Sequence, residues 1–282
     1  MLKQLLKYEF KATGRVYGGL YLALAVLSVL LGVSFRGETI HLENAGQVTL
    51  LLILAYVLVL VAIAVLCIVT MIQRFYQNLL GREGYLMHTL PVTESQLILS
   101  KLLSTMVWVL CSGLVGIVCT LLMFGIAVSF DLKMLNLDLV SWNQLIQYLN
   151  GSLGMSAANY LFWTVLINLI RLACMILCVY AACMVAHQFK RYIAVAGILT
   201  YAVFNTVQDE VEHRLGTDGV NLFVNVSFRM VDLETGQTPA QYLRTALGPQ
   251  GSCLLSFAVT AAFAAGWFCL ARWLMKNKLN LE

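Results

Sequence analysis

Charge is what this sequence lacks. Of its 282 residues only 11% are Asp, Glu, Lys or Arg, while 60% are hydrophobic, and the mean hydropathy is +0.82. A soluble domain carries about 25% charged residues, so a soluble globular fold is excluded. Room for a soluble catalytic domain is lacking too. The longest stretch without an apolar run, 208–250, is about 40 residues, under the usual size of an independent domain. Catalytic and ligand motifs are missing as well. There is no Gly-x4-Gly-Lys-Ser/Thr phosphate loop, so the chain binds no nucleotide by that route. His41, His88, His187 and His213 fall in four different expected loops, without metal-ligand spacing. No Gly-x-Ser-x-Gly elbow occurs. None of the eight cysteines sits in a Cys-x-x-Cys pair; they read as small apolar packing residues, with no disulfide framework. No acid falls inside an expected span, which leaves a buried carboxylate proton relay without support. The net charge of +4 is too modest to suggest a nucleic-acid partner.

What is present is long apolar runs. Crossing roughly 30 Å of hydrocarbon takes about 20 apolar residues in a helix. Six stretches qualify: 16–35, 50–72, 102–129, 160–186, 191–207 and 252–273. The fold class is therefore an all-α polytopic membrane protein, one transmembrane domain over 1–282. The run from Val16 to Ser34 exceeds a signal-peptide core of about 7–15 residues and is expected to be an uncleaved first span. Before it, Leu2, Leu5, Leu6 and Phe10 alternate with Lys3, Lys7, Lys11 and Arg15. That is a basic amphipathic helix, 1–15, suited to anionic headgroups at the membrane surface or to an elbow against a partner subunit.

Six spans put both termini on one side. Twelve of the 18 Lys and Arg lie on that side, five lie on the other, and Arg171 falls within a span. The basic side is the cytoplasmic one, so both termini and the loop 74–101 are expected there. Ten of the 14 acids fall on the opposite side. Two outer connections carry pattern. In 131–158, Leu132, Leu135, Leu139, Trp142, Leu145, Ile146 and Leu149 recur at helical spacing, as in a helix lying at the interface. In the extracellular segment 208–250, Leu222, Val224, Val226 and Phe228 alternate like a short strand. Thr238-Pro239 then reads as a helix start, N-cap and first turn. A small ordered outer segment between spans five and six is expected.

The loop 74–101 is the most polar long segment between two apolar runs, and it reads as stiff. Gly81 and Gly84 bracket a turn. Tyr85 to Leu90 is a short amphipathic piece that Pro91 stops. Thr93-Glu94-Ser95-Gln96 forms a capping box, which predicts a helix from about Glu94 into the third span. Tyr85, Leu86, Met87 and Leu90 make an apolar patch rimmed by Arg82, Glu83 and His88, the pattern of a docking surface.

One charge is misplaced. Arg171 lies inside the fourth span, where insertion costs about 2.5–3.5 kcal/mol. Thr164, Asn168, Arg171, Met175 and Cys178 share one helix face by their spacing. Either Arg171 reaches the outer interface along its stem, or this polar seam, Thr164, Asn168 and Arg171, faces a substrate path or a sister subunit.

The run Glu83-Gly84-Tyr85-Leu86, Thr89-Leu90-Pro91-Val92-Thr93 and then Lys101 resembles the first cytoplasmic loop of type-2 ABC-transporter permeases, the membrane subunits of bacterial drug and antibiotic exporters. A basic elbow helix, six spans, a loop helix between spans two and three and an elaborated outer connection between spans five and six follow in the same order. The resemblance implies a permease subunit in the bacterial plasma membrane, moving a drug, peptide antibiotic or lipid-like molecule. Arg82, Glu83, Gly84, Tyr85, Leu86, Met87, His88, Leu90 and Pro91 would form the coupling helix that docks a partner. It implies two separate ATPase subunits, a second permease chain, identical or homologous, and surrounding lipid as partners. This chain would then be no enzyme and bind no cofactor, with ATP and Mg on the ATPase. The alternative is a non-transporting scaffold or sensor that uses 208–250.

The Lys/Arg skew predicts that cysteines introduced at Glu83 and Lys278 react from the cytoplasm, and one at Asp218 from outside. An Asp218 cysteine reactive only from the cytoplasm would overturn the six-span topology.

Overall fold

The computed structural model describes residues 2–37, 45–76, 93–127, 154–189, 192–215, 217 and 239–278, and the single positions 147 and 151. Among them are six helices and no strand: α1 (Leu2–Gly37), α2 (Ala45–Phe75), α3 (Glu94–Ala127), α4 (Ala157–Ala186), α5 (Ile193–Arg214) and α6 (Pro239–Lys278). Helix is what such a composition requires, because in hydrocarbon every backbone N–H and C=O must be satisfied within the segment. All but α5 contain a stretch long and apolar enough to cross a membrane, and these five mark a membrane protein. The expected coupling helix within 77–92, the strand at 222–228 and the patterned residues 132–149 of the expected interfacial helix, apart from position 147, lie outside the described residues.

Helix ends follow cap chemistry. α3 begins at Glu94, directly after Thr93 of the capping box. α6 begins at Pro239, where a missing N–H and a fixed φ suit a first helical turn. Residues 2–15 are helical and continue into the first span as one helix of 36 residues, about 54 Å long, rather than as a separate elbow. α5 also outruns its expected end at 207 and reaches Arg214. α6 is interrupted at Gly248, whose φ of 67° and ψ of 177° belong to a region open essentially to glycine alone. Pro249 then restarts the helix.

The chain divides into two compact units. The first holds residues 1–74 and 96–137. Its core is Leu24, Leu31, Tyr56, Ile63 and Cys119 from α1, α2 and α3. Hydroxyl pairs join each pair of helices: Tyr17–Thr70 at 2.8 Å, Ser34–Thr49 at 2.9 Å, Tyr21–Ser112 at 2.6 Å and Tyr56–Thr120 at 3.0 Å. Tyr17 also stacks on Trp108 at 4.4 Å. In lipid no hydrophobic force draws helices together, so packing and such bonds, about 0.6–2 kcal/mol each, hold them. Leu22, Val26, Val29 and Val33 of α1 and Leu50, Leu54, Leu58 and Val61 of α2 are exposed, as lipid-facing residues are.

The second unit holds 75–95 and 138–282. α4 is its centre, packed against both α5 and α6. Its apolar window is 61% buried, against 22% or less for the other four. Met155, Ile167 and Cys253 form one core cluster, with Trp163 and Phe257 against it.

Within the first unit, Gly32 permits a close approach of α1 to α3. A Cβ there would lie 2.7 Å from Ile126 Cβ and 2.9 Å from the Met123 carbonyl oxygen. Gly32→Ala is predicted to lower the thermal midpoint in detergent, with about 1–3 kcal/mol lost to overpacking. Ile126→Ala in the same chain should recover little of the loss, because the two nearest atoms are the Ile126 Cβ, which alanine keeps, and the Met123 carbonyl oxygen. An unchanged midpoint in the single variant would contradict this packing.

Candidate functional site

The polar seam expected on α4 is present and enclosed by this chain's own helices. Asn168 and Arg171 are both buried. Asn168 Nδ2 donates to the Thr164 carbonyl oxygen at 2.7 Å, within its own helix. The Thr164 hydroxyl oxygen is buried with no hydrogen-bond partner among the described residues. Arg171 Nη2 donates to Glu212 Oε2 at 3.0 Å, in an ion pair whose side chains are 10% and 3% exposed. A longer contact of 3.5 Å reaches the Thr217 carbonyl.

Arg171 is 15 residues from the end of α4 and 14 from its start, about 21 Å or more from both. Its guanidinium therefore turns sideways to a partner helix rather than along its stem to a helix end. Glu212 was expected in the outer segment; it lies instead on the last turn of α5, buried. The reason is the pairing. An isolated buried charge is expelled or neutralised, whereas a hydrogen-bonded ion pair can stay, and removing one partner costs about 3–5 kcal/mol.

Around the pair runs a network across three helices. Gln208 Nε2 donates to the second carboxylate oxygen, Glu212 Oε1, at 2.9 Å. Gln208 Oε1 accepts from Cys174 Sγ of α4 at 3.4 Å and from Trp267 Nε1 of α6 at 3.3 Å. Trp267 also stacks on Phe204 at 4.4 Å. Beyond α5, Thr217 folds back: its N–H and hydroxyl both donate to the Glu212 carbonyl, at 2.9 Å and 3.0 Å. Ser256 of α6 donates to the Thr217 carbonyl at 3.3 Å. Both carboxylate oxygens of Glu212 are occupied, so the network ties α4, α5 and α6 together and presents no free charge from Glu212. No cluster able to hold a metal ion occurs among the described residues, and all eight cysteines are free.

The second site is the root of the loop between α2 and α3. Arg82, Glu83, Gly84, Tyr85, Leu86, Met87, His88, Leu90 and Pro91 lie outside the described residues. The residues that enter the loop do not. Phe75, at the end of α2, is fully buried and stacks on Tyr180 of α4 with centroids 4.0 Å apart and planes 8° from parallel. Tyr76 meets His187 edge-on at 5.9 Å, with its hydroxyl 3.5 Å from Nδ1. The loop therefore leaves from a ring pair held on α4, the helix that carries Arg171. The structure brings together Thr164, Asn168 and Arg171.

Glu212, Gln208 and Thr217 were missed from sequence. A signal existed: Asn205, Gln208 and Glu212 recur at spacings of three and four, a polar stripe matching the one on α4. No protein-family model, curated protein or solved structure matches the chain.

Gln208→Leu keeps the volume and removes three hydrogen bonds at once. It is predicted to lower the thermal midpoint of the detergent-solubilised chain, by about 1–3 kcal/mol for the polar groups left unsatisfied. A midpoint equal to the native one would show that the network contributes nothing.

Proposed function

We propose that this chain is the permease subunit of an ATP-driven ABC exporter, with the loop 74–101 as the foot on which a separate ATPase acts. One observation carries the proposal: the loop run from Glu83 to Lys101, with its apolar patch at Tyr85–Leu90, set between two long apolar helices. Its two ends support a stiff element. Phe75 is stacked on Tyr180 at the entry, and α3 starts at Glu94 on the exit side. The chain carries no phosphate-loop motif, so the energy source is placed on a partner.

In this reading both termini and the foot are cytoplasmic, α5 is a sixth span, and two permease chains stand over two ATPase subunits. Closure of the ATPases around ATP displaces the foot. The ring pair at its root passes that displacement to α4 as a rigid body. The cargo is a drug, peptide antibiotic or lipid-like molecule, in keeping with lipid-facing helices and no aqueous catalytic domain.

Binding energy at such a contact concentrates in large anchors, with losses of about 2 kcal/mol or more on truncation. The paired substitution Tyr85→Ala with Leu86→Ala should release the co-purifying ATPase, or leave it hydrolysing ATP without export from vesicles. Pro91→Ala should spare docking and reduce export, since it softens the foot without touching the patch. Native docking and native export in the Tyr85/Leu86 variant would end the coupling-helix assignment. A co-purifying kinase in place of an ATPase would favour a sensor acting through 208–250.

A further inference from the structure

α5 is the odd helix of the six. It has 22 residues, about 33 Å, enough for a bilayer. Yet it is the one helix that does not qualify as a span by composition. Its apolar part, 193–207, is about 22 Å long and falls short of roughly 30 Å of hydrocarbon. Only Gln208-Asp-Glu-Val-Glu212 can supply the difference, and three of those five residues are acids.

Each of the three acids has a partner inside the chain. Asp209 accepts from Asn205 Nδ2 at 2.8 Å, one turn earlier. Glu210 pairs with Arg214 at 2.7 Å on the exposed face. Glu212, the deepest in the protein, pairs with Arg171 of the preceding helix and with Gln208. The connection between the two helices is short, residues 187–192, so α4 and α5 form a helical hairpin.

We infer that α5 crosses the membrane only as one arm of a charge-paired hairpin with α4, Glu212 cancelling the charge of Arg171 and Arg171 that of Glu212. The two sides of the pair are not equivalent. A carboxyl left alone in an apolar place takes up a proton and becomes neutral. A guanidinium cannot lose its charge in a protein. Loss of Glu212 is therefore the more damaging change, and loss of both charges is the least. This inference concerns how the chain enters the membrane and stands apart from the exporter reading.

The test uses the full chain in intact cells and a membrane-impermeant maleimide. One cysteine is placed at Asp218, just beyond α5, and in a separate protein one at Glu83, in the loop before α3. The chain without the added cysteine is the blank, and labelling after permeabilisation gives the total. In the native background the two positions should label from opposite sides. Glu212→Gln should lower the ratio of position 218 found on the side opposite to 83 to position 218 found on the same side by about tenfold, the change that 1.4 kcal/mol produces. Arg171→Met should lower it less, and the double variant Arg171→Met/Glu212→Gln should label like the native chain. Native labelling in Glu212→Gln overturns the inference. So does a double variant no better than the worse single, because the two residues would then act separately rather than as a pair.

Discussion

Arg171 carries a charge it cannot lose, halfway along a helix with a bilayer-length apolar run. Much of the second unit can be understood as the consequence. The charge needs an opposite charge within hydrogen-bonding distance, and Glu212 supplies it at 3.0 Å. To bring Glu212 there, α5 continues past its apolar part. To keep the carboxylate from water, Gln208 takes its second oxygen and Thr217 closes over the end of the helix. Trp267 and Ser256 then draw α6 onto the same network. α4, which touches both neighbours, becomes the most buried helix of the five apolar ones.

Among the described residues the first unit buries one charge, Lys101 of α3, and otherwise joins its helices through neutral groups. Its helices carry tyrosine, serine and threonine where they meet, and four hydroxyl pairs cross between helices, among them Tyr17–Thr70 and Tyr56–Thr120, while Ser28, Ser100 and Ser104 donate within their own helix. A neutral hydroxyl pair is cheap to break and re-form, because serine and threonine can also donate to a carbonyl one turn back. Thr70 does so at 2.8 Å to Leu66, and Ser112 at 2.8 Å to Trp108. The buried ion pair of the second unit has no such local alternative, since neither residue has an oppositely charged neighbour within its own helix that is also buried.

Much of this was legible in the residue order. Apolar runs located all six helices, since hydropathy and helix are nearly synonymous in a bilayer. Thr93 and Pro239 marked helix starts because capping and proline geometry are local. The end of α5 was misplaced because apolar character stops at Val207 while the helix does not. Asn205–Asp209 and Glu210–Arg214 pairs, four residues apart, sustain it as intrahelical side-chain pairs do. The seam of Thr164, Asn168 and Arg171 was visible from spacing. Its partner was not, because one sequence shows which residues share a face and not which faces meet. The stacked pair of Phe75 and Tyr180 was invisible for the same reason: 105 residues separate two ordinary aromatics in apolar surroundings.

On the proposed function these parts form one lever: a foot proposed to dock an ATPase, a ring pair at its root, and a central helix tied by charge to a neighbour. The most direct test is a photo-crosslinking amino acid in place of Leu86, activated in native membranes, with the adduct identified by mass spectrometry. The account predicts a covalent adduct with a separate ATP-hydrolysing subunit, formed at the foot and absent when the same group replaces exposed Leu50 on α2. Adducts with lipid alone, or with a protein that hydrolyses no ATP, would contradict it.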